Sequence, residues 1–363
     1  MIYDNLILDK SIWSKLKNMQ SKNKIPHSLL FYGPEGCGKE AHAIEFASSL
    51  NYNSNSDLQK IKIFQHPNIH LITPLVKEKV ISKNADAINA LSNRTLEEYI
   101  EMKKNKMINP YFKIKFSKAS TILINSIRDI KKTIQLNNPN KYNVYLIFEA
   151  EKLCHPRNEA GNSLLKILEE PPPNTIFILV TSHKEKIMDT ILSRCCDFQF
   201  KKPSKNKIFS YLEQNNYTSN SLDLLINLCQ YNVSVIIDII ESDININDII
   251  LNSKKFINDI INNRSNQNYA YDLENLYNKN KNEFLFFMKI SIIILSDLNK
   301  IINDIDNLKI LKQTNKIKNL NYLKCISILE GYYDKLSKNL NPSIGFFAMM
   351  IEMKKSLQQY EII

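Results

Sequence analysis

The sequence predicts an α/β fold, a parallel sheet covered by helices on both faces, followed by an all-α C-terminal half. Three observations carry this. Continuous apolar runs stand at Ser28–Tyr32, Asn143–Phe148 and Thr175–Thr181, and each lies next to a helical pattern: Glu40–Leu50, Ile124–Gln135 and Glu159–Glu169. Strands that are apolar on both faces belong to parallel sheets buried between helix layers. Beyond Pro203 such runs stop and only helical spacing continues.

Residues 1–202 are therefore expected to form the sheet domain. Its first strand ends at Gly33, where a glycine-rich loop leads into a helix. A Lys-rich stretch with helical spacing at Leu96, Tyr99 and Ile100 reads as an insertion over 75–118. Glu169-Glu170-Pro171-Pro172-Pro173 ends a helix, because prolines cannot continue it. Those two glutamates oppose the helix dipole, so a nearby basic partner is expected. Residues 203–255 read as a small helical module and 256–363 as a longer helical set. There, Phe284–Met288 and Phe346–Ile351 are more apolar than one helix face needs.

With 363 residues, 44% hydrophobic and 23% charged, the chain is globular rather than disordered. The net charge of +11 is carried mainly by lysine, so by itself it argues only weakly for nucleic acid. Arginine is confined to Arg94, Arg128, Arg157, Arg194 and Arg264. Arg128, with Lys131 and Lys132, reads either as a DNA-facing or as a solvated helix face. Met1–Lys10 carries Asp4 and Asp9 and no apolar stretch, so no signal peptide is expected. The run Phe284–Leu295 is too short for a membrane span. Six cysteines without a C-x-x-C pair argue against a disulfide framework and for a reducing cytoplasm. Cys195-Cys196 reads as a buried small-residue pair. His66 and His70 have ligand-like spacing but no third partner nearby, so they read as surface histidines of a loop and no metal is expected.

The sharpest signal is Gly33-Pro34-Glu35-Gly36-Cys37-Gly38-Lys39-Glu40, which holds three of the six glycines. Strand, loop and helix in this order form a P-loop: backbone N–H groups and the helix N-terminus face phosphate, and Lys39 neutralises charge. Gly33, Gly36, Gly38 and Lys39 are thus candidate nucleotide-binding residues. A hydrolysing P-loop then needs a Ser or Thr hydroxyl on Mg²⁺. Here Glu40 stands instead, either repelling phosphate or serving as an acidic first-turn residue favoured by the helix dipole. The second metal position, an Asp ending an apolar strand, is occupied by Phe148, which cannot hold a metal's water shell. Glu149 follows it with little left to activate. Two independent losses predict a degenerate site with weak nucleotide binding or none.

Further residues carry a family resemblance. Ile25–Phe31, Ile127–Ile130, Ala160–Thr175 with its Leu164-Leu165-Lys166-Ile167-Leu168-Glu169-Glu170-Pro171-Pro172 core, and Leu192-Ser193-Arg194-Cys195 resemble the central motifs of clamp-loader AAA+ subunits of bacterial DNA polymerase III. The resemblance implies an AAA+ sheet domain, a helical lid and a helical collar joining five subunits. It also implies an ATPase-defective, stator-like role beside gamma/tau and delta subunits, the sliding clamp and primed DNA. Arg194, with Ser193 and Cys195, would reach the ATP of a neighbouring subunit; the plain alternative is an ion-paired surface arginine. In active members a lid arginine reaches the nucleotide, whereas Gln230–Ile240 has neither Arg nor Lys. Some relatives carry a four-cysteine zinc module, but residues 38–153 contain no cysteine, so zinc is expected to be absent and no cofactor required. The rival expectations are an active ATPase subunit of the same family and a free-standing basic DNA-binding protein.

Overall fold

The computed structural model describes residues 1–52, 54–116, 118–136, 141–154, 156–217, 222–242, 245–262, 268–302, 321–337 and 341–358. The three apolar runs are strands β1 (Ser28–Tyr32), β3 (Asn143–Phe148) and β4 (Thr175–Thr181). Two strands that the sequence patterns did not reveal, β2 (Ile69–Ile72) and β5 (Cys196–Gln199), complete a parallel sheet in the order β2-β3-β4-β1-β5. One row of the register runs Ile72, Ile147, Leu179, Leu30; the next toward the strand ends runs Phe148, Val180, Phe31, Phe198.

Because side chains alternate along a strand, these two rows face opposite ways. The row ending in Phe198 packs with Leu16 of α1 (Lys10–Ser21), Ile44 and Phe46 of α2 (Lys39–Asn51) and Ile61 of α3 (Asn55–Lys62). The row of Leu30 packs with α5 (Ile124–Leu136), α6 (Glu159–Glu169) and α7 (Asp189–Leu192) through Ile127, Leu164 and Ile191. Two layers of helix on one sheet explain why the strands are apolar throughout.

The segment over 75–118 has a small core of its own, in which Leu75, Leu91, Ile114 and Phe116 pack against Tyr99 and Met102 of α4 (Asn93–Ile108). Asn125 of α5 holds this segment by donating to the carbonyls of Ser82 and Ala85. Arg128 donates to the Lys83 carbonyl, and Lys132 to the Asn84 carbonyl, Asp86 and Asp129.

Contacts divide the chain into two compact units, Met1–Thr218 with Tyr231–Ile237, and Ser219–Gln230 with Asp238–Ile363. The first unit continues past the sheet into α8 (Lys205–Gln214); α9 (Leu222–Leu228) belongs to the second, whereas the start of α10 (Val233–Glu241) belongs to the first. The second unit is helical in its described residues: α11 (Ile246–Ile261), α12 (Asn268–Lys279), α13 (Lys281–Ile302), α14 (Tyr322–Ser337) and α15 (Pro342–Gln358). Its core is aromatic, with Phe256 against Phe287 (5.4 Å) and Phe284 against Phe346 (5.0 Å). Among the described residues, no helix is long and apolar enough to cross a membrane.

Candidate nucleotide cleft and arginine site

The loop after β1 opens at the C-terminal edge of the sheet, where ligands of open α/β sheets bind. Gly33, Gly36 and Gly38 all have positive φ. A Cβ on Gly33 would stand 2.3 Å from the Phe200 carbonyl oxygen, and one on Gly36 2.0 Å from the Asn232 side chain. The fold itself therefore demands two of these glycines, whatever the loop binds.

Lys39 is only 6% exposed and turns back on its own loop. Its ammonium donates to the carbonyls of Gly33 (2.8 Å) and Pro34 (2.6 Å) and to Ser182 Oγ (3.1 Å). Burial lowers its pKa. Cys37 adds a bond from Sγ to the Pro34 carbonyl (3.0 Å).

Glu40 and Phe148, which the sequence analysis expects at metal-ligand positions, come together on a residue the sequence reading missed. Glu40, in the first turn of α2, pairs with Lys106 of α4 at 2.5 Å. Lys106 Nζ also lies 5.8 Å from the centroid of the Phe148 ring, and both residues are 1% exposed. Desolvation lowers the Lys106 pKa, and the adjacent Glu40 carboxylate only partly opposes that. The chain beyond α4 folds over the loop: Pro110, Tyr111, Lys113, Ile114 and Lys115 line the cleft opposite Gly36, Gly38 and Lys39. Lys113 bonds Glu35 of the loop at 2.9 Å. Burial alone would lower the Lys113 pKa, but Glu35 and the nearby Glu40 and Glu149 raise it. The cavity left is about 60 Å³, room for a few waters, against the roughly 300–1,000 Å³ of ordinary ligand pockets.

Glu149 lines this cleft but is diverted. Its backbone is left-handed (φ 50°), and its carboxylate pairs with Lys152 at 2.7 Å. A second acid that the motifs did not flag, Glu151, accepts a 2.6 Å bond from Thr181 at the end of β4. No spacing rule singles out Lys106, Lys113 or Glu151. Only the fold brings them to the loop.

Arg194 does not line the cleft. It follows α7, and its guanidinium donates to the Thr190 carbonyl (2.8 Å) and to Glu169 Oε1 at the end of α6 (3.1 Å). Glu169 thus has the basic partner that its place at a helix C-terminus calls for. Arg194 is anchored through both terminal nitrogens, yet its side chain is 35% exposed. Ser193 Oγ donates to the Thr190 carbonyl, and Cys195 Sγ lies 3.0 Å from Ser28 Oγ on β1. Cys195 and Cys196 are half-buried rather than fully buried.

His66 and His70 are not two surface histidines of a loop, which corrects the sequence reading: His66 is buried in the turn before β2, and His70 is half-buried on β2 itself. His66 is buried, 3.6 Å from Asp57, and accepts from the Asn68 N–H; His70 stacks on Tyr145 at 4.7 Å. His70 is drawn in because β2 pairs directly with β3, where it stands opposite Tyr145.

Comparison with known proteins now bears on these features. The family described as DNA polymerase III, delta subunit, matches residues 8–204, more than half of the chain. The chain belongs to that family. This agrees with the clamp-loader resemblance carried by the motifs. Among curated relatives, DNA polymerase III subunit tau of Bacillus subtilis is 29% identical over 207 residues, covering 57% of this chain and 30% of that protein. Subunit gamma of Buchnera aphidicola (subsp. Baizongia pistaciae) is likewise 29% identical over 207 residues, covering 57% and 46%. Subunit delta' of Bacillus subtilis is 25% identical over 229 residues, covering 61% and 56%. The chain spans about a third to a half of the length of the first two relatives. A solved gamma-subunit-related protein of Thermotoga maritima aligns over 94% of the chain with a TM-score of 0.49 and 12% identity.

Relatives named tau, gamma and delta' all match, so the choice among roles falls to the site. In this DNA polymerase III family member, the residues standing where the sequence motifs would place metal ligands do not fit a magnesium ion. Phe148 offers hydrocarbon, and Glu40 already holds an ammonium.

Proposed function

We propose that this chain is a non-hydrolysing, stator-like subunit of the DNA polymerase III clamp loader. In that role it holds one end of a ring of gamma/tau and delta subunits that places the sliding clamp on primed DNA. The reading rests above all on one observation: the places of the Mg²⁺-binding hydroxyl and aspartate hold Glu40, tied to Lys106, and buried Phe148. Residues 203–255 then serve as lid and 256–363 as collar, and no zinc or other cofactor is required.

Its chemistry lies in what it lends. A guanidinium set on a neighbour's γ-phosphate stabilises the charge of the phosphoryl-transfer transition state, an effect worth roughly 10³–10⁵ in rate. Arg194 suits this role because, although Nη1 and Nη2 each give a donor to the Thr190 carbonyl and Glu169, the side chain stays 35% exposed with N–H donors to spare. Lysine is a poor substitute, since it lacks the planar fork.

The relatives named tau and gamma make an active ATPase the competing reading. That reading needs a hydroxyl at position 40 and an aspartate at 148. The experiment is an ATPase assay of the chain alone and of the loader reassembled with it. The expected outcome is no DNA-stimulated turnover by the chain alone. Arg194→Ala and Arg194→Lys should each remove the share of loader ATPase belonging to the adjacent site, with assembly intact on gel filtration. Loader turnover unaffected by Arg194→Ala would refute the trans role.

A further inference from the structure

The cleft contains a cation of its own. Glu40 and Phe148 occupy the two positions from which a P-loop protein directs a hydroxyl and a carboxylate onto one metal, and the side chains at both meet Lys106 Nζ. We infer that the ammonium of Lys106 is a resident replacement for the divalent cation, set in its place by α4 and sealed there by the chain that follows. This inference rests on the non-hydrolysing reading above and deepens it.

The coordination of Nζ supports the assignment. An ammonium has three N–H donors, and three oxygens receive them: Glu40 Oε2 at 2.5 Å, the Phe112 carbonyl at 2.6 Å and the Pro110 carbonyl at 3.2 Å. The Phe148 ring stands beside this group, its centroid 5.8 Å from Nζ, at a distance where a ring face still attracts a cation electrostatically. Such a group, 1% exposed, is tolerable only with its charge paired and its donors satisfied. The three residues therefore account for one another. Glu40 would repel phosphate without a cation, Lys106 would be a stranded charge without Glu40, and an aspartate at 148 would compete for the same ammonium.

A consequence separates this from a merely structural ion pair. Restoring the lost ligands by Glu40→Thr with Phe148→Asp should not restore metal binding, because the rival cation remains. Removing it as well, by adding Lys106→Ala, should. The probe is Mn²⁺ with ATP, with bound metal read by electron paramagnetic resonance on the full chain. Fold is checked by circular dichroism. The unmodified chain and the double variant are expected to hold no metal nucleotide, and the triple variant to bind it at least about tenfold more tightly than the double. A double variant that binds as tightly as the triple, or a folded triple that binds no better than the double, overturns the inference and leaves the non-hydrolysing reading standing. Manganese–ATP bound and hydrolysed by the unmodified chain overturns that reading itself. Should the triple variant not fold, amine acylation of the unmodified chain decides. Lys106 should label at least about tenfold more slowly than exposed Lys104, with or without magnesium–ATP, and equal rates would overturn the inference.

Discussion

Lys106→Met strands the Glu40 carboxylate beside a hydrocarbon, and breaking a buried pair from one side costs about 3–5 kcal/mol. Pairing that change with Glu40→Gln should recover much of the loss, so a double-mutant cycle in urea gives a coupling of at least about 1 kcal/mol. Additive losses would mean that the two residues act separately. A second test at this scale uses pH. Burial pushes the His70 pKa down to about 4 from its ordinary 6.5. Between those values the unfolded chain binds more protons than the folded one, so stability falls as pH drops through that window. At about 1.4 kcal/mol per pH unit the loss is at most about 3.5 kcal/mol. His42 and His66, whose pKa values burial also lowers, add in the same direction. His70→Phe keeps the stack on Tyr145 and should flatten this part of the stability–pH curve without abolishing it. An unchanged curve would show that His70 titrates freely.

Among the elements, the loop and its helix were the most legible. Glycines are so scarce in this chain that three within six residues marked the turn, and the structure gives each of them a positive φ. Gly33→Ala drives a methyl into the Phe200 carbonyl and should destabilise the first unit by about 2–4 kcal/mol in denaturant melts. That cost is expected even if the loop never holds a nucleotide, and a neutral result would mean the loop can shift. β1, β3 and β4 could be read because strands buried on both faces form unbroken apolar runs. β2 and β5 could not: each is four residues long, and polar His70, Asp197 and Gln199 interrupt them. Lys106 was hidden for a different reason. It lies 66 residues from its partner Glu40, in a stretch whose lysines look alike in sequence, and only the return of α4 to the loop singles it out. The tether of Arg194 to Glu169 was half legible, since the helix-end glutamates called for a cation that the sequence could not name.

For the whole molecule, the proposed place in a ring requires surfaces for neighbouring subunits, and the helical unit has an apolar one to offer. Phe346, Met349 and Met350 of α15 are buried, while Ile344, Phe347 and Ile351 stay exposed on the same helix. Positions spaced three and four apart share one face of a helix, so core packing alone does not explain why the 346–351 run is apolar. Phe347→Asp with Ile351→Lys should leave the thermal melt of the isolated chain within about 2 °C, since exposed substitutions cost little. The same pair should weaken incorporation into the loader on gel filtration, and unimpaired incorporation would place the subunit contacts elsewhere. In the first unit, residues 110–115 line and narrow the cleft, and Arg194 stands outside it. Turnover of magnesium–ATP by the purified chain bears on this division of labour most directly. The expected result is a rate no higher than that of buffer; sustained hydrolysis that Lys39→Ala abolishes would contradict it.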